Sequence, residues 1–296
     1  MTSFTERVRR LPYLGIGVST EYGAHHSPNA LDISALKERY PEFSGFLEVG
    51  VEVDKGLDAD TLEWVRRGGR TTYHFLDINL DDPDDFTSEW IQRVLAIAEQ
   101  IQPAWLCGDA GLWHFGRRER GHMLLLPPVL SKESAKEMAD GILRLREMTG
   151  YEIFPENPPG HLFVGDLHLL DFFAYVMEFA DTGMLLDAAH LAIYQRSMGY
   201  DPQTGLDGFP MERIVEVHVA GASHFEVDGL AMVEDDHTVN VLPETWTLLS
   251  TLAHCASELR AVVFECERNP LPVCVPGFER IRQCISGTTF ARQVKL

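Results

Sequence analysis

No apolar run in this chain approaches the roughly 20 residues that a membrane-spanning helix needs, which argues against a membrane protein. The five cysteines, Cys107, Cys255, Cys266, Cys274 and Cys284, are odd in number, and no two stand at Cys-x-x-Cys spacing. That argues against a disulfide framework and a structural zinc site, and leaves them as small residues in or near the core. Positive charge is scarce: 25 Lys and Arg face 45 Asp and Glu, a formal net charge of −20. Such a surface repels phosphates, so nucleic acid is not an expected partner. Linkers, low-complexity segments and clear internal repeats are missing, and residues 1–296 read as a single domain. The N-terminal MTSFTERVRRLPYLG carries charge but no apolar stretch before a small-residue cleavage site, so the expected location is cytoplasmic.

What is there is alternation. Short runs rich in β-branched and aromatic residues punctuate longer segments of helical period. Eight strands are expected near Leu14–Ser19, Phe46–Glu52, Thr72–Ile78, Ala104–Asp109, Glu152–Glu156, Gly183–Asp187, Val215–Ala220 and Ala261–Glu267. Helices are expected at Asp32–Tyr40, Asp58–Arg67, Asp85–Ile101, Ser131–Met148, Leu169–Ala180, Pro243–Glu258 and Gly277–Ile285. Strands that alternate with helices imply parallel pairing through crossovers. At this length a closed (β/α)8 TIM barrel fits best. An open doubly wound sheet is the competitor, but no Gly-x-Gly-x-x-Gly follows the first strand.

In such a barrel the working site lies at the C-terminal ends of the strands. Polar residues collect there: His74 on the third strand, Asp109 on the fourth and Glu156 on the fifth. Asp187 ends the sixth, with His190 three residues on. His218 lies on the seventh, which leads to Asp235 and His237, and Glu265 and Glu267 lie on the eighth. Each follows an apolar run. Burying such groups without a counter-ion costs several kcal/mol apiece, and the one base nearby in sequence is Arg268. A bound divalent cation is the simplest account. Mixed carboxylate and imidazole ligands suit iron, manganese or zinc better than magnesium or calcium. The candidate ligands His74, Asp109, Glu156, Asp187, His190, His218, Asp235, His237 and Glu265 exceed what one ion uses, so two or more ions are expected. Barrel-mouth ion pairs are the plainer alternative, but they lack basic partners.

The order of motifs resembles the DUF692 family, the multinuclear non-heme iron-dependent oxidative enzymes, to which the methanobactin-biosynthesis oxidase belongs. The resemblance runs from GIGVS at Gly15 to FECE at Glu265. FLEVGVE is similar to the family's second strand, and TYHFLDINL to its Leu-His-Gly strand, with His74 at the ligand position. PENPP resembles the Glu-Asn-Pro motif, which implies that Glu156 bridges two ions. LLLDAAH resembles Leu-Asp-Val-Asn-Asn at Asp187, and VEVHVAG resembles His-Leu-Ala-Gly at His218. EDDH resembles Asp-Thr-His, which carries over Asp235 and His237, and FECE carries over Glu265. Two departures stand out. Ala110 replaces a ligating histidine, and His190 replaces the second asparagine of the Asn-Asn pair. Asp109 and His114 are the residues near enough to fill the first gap, although His114 beside Trp113 also reads as a surface histidine. His25, His26, His122, His161, His168, His224 and His254 match no motif and are taken as solvated or structural.

The resemblance implies a xylose-isomerase-like barrel holding two or three iron ions, Fe(II) and Fe(III), with O2 as co-substrate. It implies oxidation of a residue, cysteine foremost, in a ribosomally made precursor peptide, with a small partner protein that recognises the leader. Two other readings compete. One is a divalent-metal isomerase or hydrolase of xylose-isomerase type, since Glu, Asp, His and Glu on successive strands also suit that class. The other is a non-catalytic scaffold that binds metal or peptide.

Overall fold

The computed structural model describes residues 2–21, 29–116 and 124–295; His25, His26 and His122 lie outside them. Eight parallel strands close a barrel: β1 Gly15–Glu21, β2 Leu47–Val51, β3 Thr71–Phe75, β4 Leu106–Asp109, β5 Ile153–Glu156, β6 Met184–Asp187, β7 Ile214–Ala220 and β10 Ala261–Glu265. These are the eight expected strands, with ends moved by a few residues. The helices are α1 Phe4–Val8, α2 Ile33–Arg39, α3 Ala59–Arg66, α4 Ser88–Ile101, α5 Lys132–Thr149, α6 Leu169–Ala180, α7 Ala188–Met198, α8 Pro243–Cys255, α9 Leu271–Ile285 and α10 Thr289–Val294. No helix among the described residues is long and apolar enough to cross a membrane.

Local chemistry sets the ends of these elements. Asp58, Thr87 and Ser131 each accept a backbone N–H from the first turn of the helix that follows, and Gly150 closes α5 in the left-handed conformation. Five helices differ from expectation, and α1 and α10 are two of them, lying outside the expected set. α4 starts at Ser88 because Pro83–Asp85 forms a separate 3-10 turn. α9 starts at Leu271 and contains Pro276. α7 was not expected: it follows β6 without a loop and is buried on all sides over Ala188–Gln195, so no amphipathic period marks it.

The core has two parts. Val18, Leu47, Tyr73, Leu106, Ile153 and Leu186 point outward and pack under the helices. Phe46, Trp105, Phe154, Leu185 and Val263 point into the barrel, and α1 adds Phe4 and Val8 to this inner set. Gly17 leaves the room that Phe46 occupies: a Cβ there would lie 2.5 Å from that ring. β7 breaks strict alternation. Its register against β6 jumps from Met184↔Ile214 to Leu185↔Glu216, so Val215 is an extra residue. Val215 points inward, Val217 and Val219 point outward, and Glu216 and His218 are brought to the lumen. A bulge that re-aims side chains is common beside active sites.

After β7 the chain forms an unexpected antiparallel hairpin, β8 Ala222–Val227 and β9 Leu230–Asp235. Asp228 and Gly229 turn it, both at positive φ (51° and 82°), as an Asp-Gly two-residue hairpin turn requires. β9 delivers Asp235 to the barrel mouth, and His237 follows in a left-handed conformation at φ 54°.

Candidate metal centre

The lumen is layered from bottom to top. Phe46, Trp105 and Phe154 fill the base. Above them lie Glu48, Cys107 and Glu216, all buried. At the C-terminal ends of the strands stand His74, Asp109, Glu156, Asp187, His218 and Glu265, also buried. Register places Asp109 beside Glu156 and Asp187 beside His218. α7 contributes His190 from its first turn, and the hairpin contributes Asp235. A cavity of about 230 Å³ opens over this layer, floored by Glu48 and Glu156 and walled in part by Trp113, Pro159 and His237.

Glu156 is the hub. Its Oε2 lies 2.7 Å from His74 Nε2, and its Oε1 lies 3.4 Å from His218 Nδ1 and 3.6 Å from His190 Nδ1. His218 Nδ1 also faces Glu265 at 3.4 Å and Asp187 at 4.0 Å. His190 Nε2 lies 2.9 Å from Asp235 Oδ2 and 3.9 Å from Asp187 Oδ2. His237 Nε2 approaches Asp235 at 3.5 Å and Glu265 at 3.8 Å. Ligating atoms converge within 4.8 Å in three such groups: His74 with Asp109 and Glu156, Glu156 with Asp187 and His190, and Asp187 with His218 and Glu265. A fourth, Glu48 with Glu216 and His218, lies deeper. Asp187 does two jobs. Its Oδ1 caps α7 by accepting the His190 N–H at 2.6 Å, while its Oδ2 faces the cluster.

Buried atoms in this layer lack hydrogen-bond partners. They are Asp109 Oδ1, Asp187 Oδ2, Asp235 Oδ1, Glu265 Oε2 and both ring nitrogens of His218, whose approaches to carboxylates lack hydrogen-bonding geometry. Native proteins rarely leave such atoms unsatisfied unless a water or an ion completes them. Side-chain acidities are strained accordingly. Burial, with Glu156 beside it, pushes Asp109 up to about 7, against the pull of His190 and His74. Burial and three neighbouring carboxylates push Asp187 well up. Burial would lower the histidines, but surrounding carboxylates raise His190, His218 and His237 strongly, and Glu156 with Glu48 and Asp109 brings His74 to about 9. Glu156 and Asp235 are held below the usual carboxylate range: burial opposes this, and the imidazoles override it. The cluster thus balances its negative charge with protons, in a place where a cation would serve.

Residues 27–285 match the family described as "RiPP precursor modification enzyme MbnB/TglH/ChrH", RiPP being a ribosomally synthesised and post-translationally modified peptide. The chain belongs to this family. It is also 27% identical over 247 residues to a UPF0276 protein of Anaeromyxobacter sp. (strain Fw109-5), covering 81% of each chain. A UPF0276 protein of Acaryochloris marina is 27% identical over 241 residues, covering 79% of this chain and 80% of the relative. Among solved structures, a xylose isomerase-like TIM barrel protein from Mycobacterium smegmatis in complex with magnesium superposes with a TM-score of 0.56 at 12% identity, covering 97% of this chain and 99% of that one. The TTHB071 protein of Thermus thermophilus, soaked with ZnCl2, gives 0.51 at 18% identity, covering 90% and 98%. These likenesses show the fold: a xylose-isomerase-like (β/α)8 barrel.

In this member of the RiPP precursor modification family, the nine residues singled out in the sequence are one connected constellation. Ala110 is buried at the end of β4, and Asp109 beside it reaches toward His74 and Glu156. His114 is a correction. It is buried rather than a surface residue, and it is no part of the cluster: its Nδ1 meets the Gly116 carbonyl at 2.9 Å and its Nε2 meets Asp85 at 3.2 Å. His161 bonds the Val233 carbonyl, His168 caps α6, and His254 bonds the Ser250 carbonyl, all structural roles. The described cysteines are all free, with Cys107, Cys266 and Cys274 buried, Cys284 half-buried and Cys255 exposed. Sequence reasoning missed two acids. Glu48 stands 3.1 Å from His218 Nε2, and Glu267 stands 2.8 Å from His237 Nδ1. Glu267 was visible at the strand end in FECER but was given no role. Arg268 does approach, 3.8 Å from Glu267, and it lies outside the cluster.

Proposed function

We propose that this protein is an iron-dependent oxidase that consumes O2 and oxidises a residue, cysteine first, of a ribosomally made precursor peptide. The observation that carries the reading is the unsatisfied, converging donor set around Glu156. His74, Asp109 and Glu156 would hold iron at one end, Glu156, Asp187, His218 and Glu265 in the middle, and His190, Asp235 and His237 at the other. The donors fit the group: carboxylates and imidazoles without thiolates suit iron in both common oxidation states. Bound iron supplies the electron transfer and O2 activation that side chains lack. The side chains do the rest. Glu156, with an oxygen toward each of its neighbours, ties the two ends of the cluster together. The depth of the layer below the mouth limits water, and Trp113 and Pro159 shape the approach of a peptide side chain. The peptide, and a small partner that presents its leader, are part of this reading, with a cytoplasmic setting that keeps a substrate thiol reduced.

The test is an assay with a cysteine-containing precursor peptide, run without oxygen and then opened to air. Product is expected only after air is admitted, and only in protein loaded with iron. Zinc and magnesium belong among the controls, because a zinc-soaked and a magnesium-bound protein share this fold. Equal turnover without O2, or with magnesium alone, would overturn the oxidase reading in favour of an isomerase or hydrolase. Metal without turnover on any peptide would favour a scaffold.

A further inference from the structure

We propose that Glu48 and Glu267 are positioning residues, each accepting the N–H of the ring nitrogen that His218 and His237 turn away from the cluster. This inference rests on the metal reading above. A histidine that ligates through one nitrogen carries its proton on the other, and an acceptor at that second nitrogen fixes both tautomer and ring orientation. The cluster shows this arrangement as a formed hydrogen bond at His190 and His237, and as a close approach without hydrogen-bonding geometry at His218. His190 places Nδ1 2.8 Å from the Asn157 carbonyl, which can only accept, and turns Nε2 toward Asp235. His218 turns Nδ1 toward Glu156, Asp187 and Glu265, and its Nε2 lies 3.1 Å from Glu48 Oε1. His237 turns Nε2 toward Asp235 and Glu265, and its Nδ1 lies 2.8 Å from Glu267 Oε1.

The second oxygen of each acid separates these two from four of the five ligand carboxylates, Glu156 being the fifth. Asp109, Asp187, Asp235 and Glu265 each keep a buried oxygen with no partner, as a ligand without its ion would. Glu48 and Glu267 do not. Glu48 Oε2 accepts from Cys107 Sγ at 3.3 Å and from Thr72 Oγ1 at 3.4 Å, and Glu267 Oε2 accepts from Ser19 Oγ at 3.2 Å. Each carboxylate is anchored through one oxygen and presents the other to an imidazole. An inner metal at Glu48, Glu216 and His218 is the competing assignment. It would require His218 to ligate through both nitrogens and give up its last ring proton, so an outer proton facing Glu48 is preferred.

The test is Co(II) binding to the metal-stripped full-length protein, read by visible absorption and by competition with a chelator. Glu48→Ala and Glu267→Ala are expected to weaken Co(II) binding about 10- to 100-fold, the usual loss for an outer partner of a ligating histidine. Glu48→Gln and Glu267→Gln keep an oxygen acceptor and are expected to stay within a few-fold of wild type, with the Co(II) spectrum unchanged. Should an alanine variant fail to fold, Glu48→Asp and Glu267→Asp replace it: they keep the charge, withdraw the acceptor by one methylene, and are expected to lose affinity in the same direction. Gln variants that lose as much as Ala and alter the spectrum would make these acids direct ligands and overturn the proposal. Folded Ala or Asp variants with wild-type affinity would overturn it too, while leaving the metal reading standing. A wild-type protein that binds no Co(II) would overturn both.

Discussion

Glu216 offers a test that separates the barrel's interior from its metal chemistry. It lies in the layer beneath the cluster, fully buried, with Oε2 accepting the Trp105 indole N–H at 2.7 Å and Oε1 without a partner. Burial, with Glu48 beside it, pushes its carboxyl from 4.5 up to about 8, against the pull of His218, the Trp105 bond and His74. The folded protein therefore holds this proton at pH values where the unfolded chain releases it. Between pH 4.5 and pH 8 the folded state binds more protons, so stability falls as pH rises through that window. At about 1.4 kcal/mol per pH unit, the burden is absent below pH 4.5, reaches roughly 3 kcal/mol at pH 7 and levels off near pH 8.

Glu216→Gln copies the neutral acid. The amide oxygen can accept from Trp105, and the amide nitrogen stands where the acid proton would. The substitution is expected to leave stability unchanged near pH 4.5 and to add up to about 3 kcal/mol at pH 7 in metal-stripped protein. Urea unfolding of both proteins at several pH values reads this directly, as a gap in midpoint that widens with pH at constant slope. A gap of equal size at every pH, or one that narrows between pH 5 and pH 7, would refute the reasoning. Glu216→Ala gives the contrast: it removes the acceptor and leaves a cavity, so it should destabilise at every pH.

Three further outcomes are expected. Glu156→Ala and His218→Ala should each lose metal and activity together, and chelation of wild type should lower Tm by several degrees, since metal at about 100 times its Kd adds about 2.7 kcal/mol; full metal content in either variant, or an unmoved Tm, would speak against a ligand-lined site. Co(II) affinity should rise from pH 6 to pH 8, because His74, which burial would lower but Glu156 brings to about 9, and the likewise raised His190, His218 and His237 must give up protons to ligate; an affinity flat in pH would speak against imidazole ligation. Ala110→His should tighten binding at the His74 end by supplying a nitrogen, and His190→Asn should weaken it about tenfold or more at the Asp235 end; metal analysis and Co(II) spectra of the pair distinguish the two, and a His190→Asn protein with unchanged affinity would discard His190 as a ligand.

The barrel was legible in the sequence because parallel strands buried on both faces read as short apolar runs, and the interleaved helices carry caps and stop signals. The cluster was legible for a related reason: acids and imidazoles at the ends of apolar runs have no bland use. What escaped was the depth of the site. Glu48 lies near the start of β2, away from the C-terminal strand ends where ligands were sought. In the closed barrel its face is the lumen, with Phe46 below and Gly50 above. α7 escaped because its surroundings are apolar on every side, and because Asp187 is at once the last residue of β6 and the cap of the helix.

His218 shows how local irregularity sets the chemistry. VEVHV alternates so evenly that it predicts one face for Val215, Val217 and Val219. The bulge at Val215 breaks that unity: Val215 faces the base with Phe4, and Glu216 and His218 face the lumen as well. Without the bulge, pairing from Met184↔Ile214 would continue in step: Val215 would still face inward, and Glu216 and His218 would point to the helical layer. The bulge turns an ordinary core strand into one that presents His218 Nδ1 to Glu156 and Glu265.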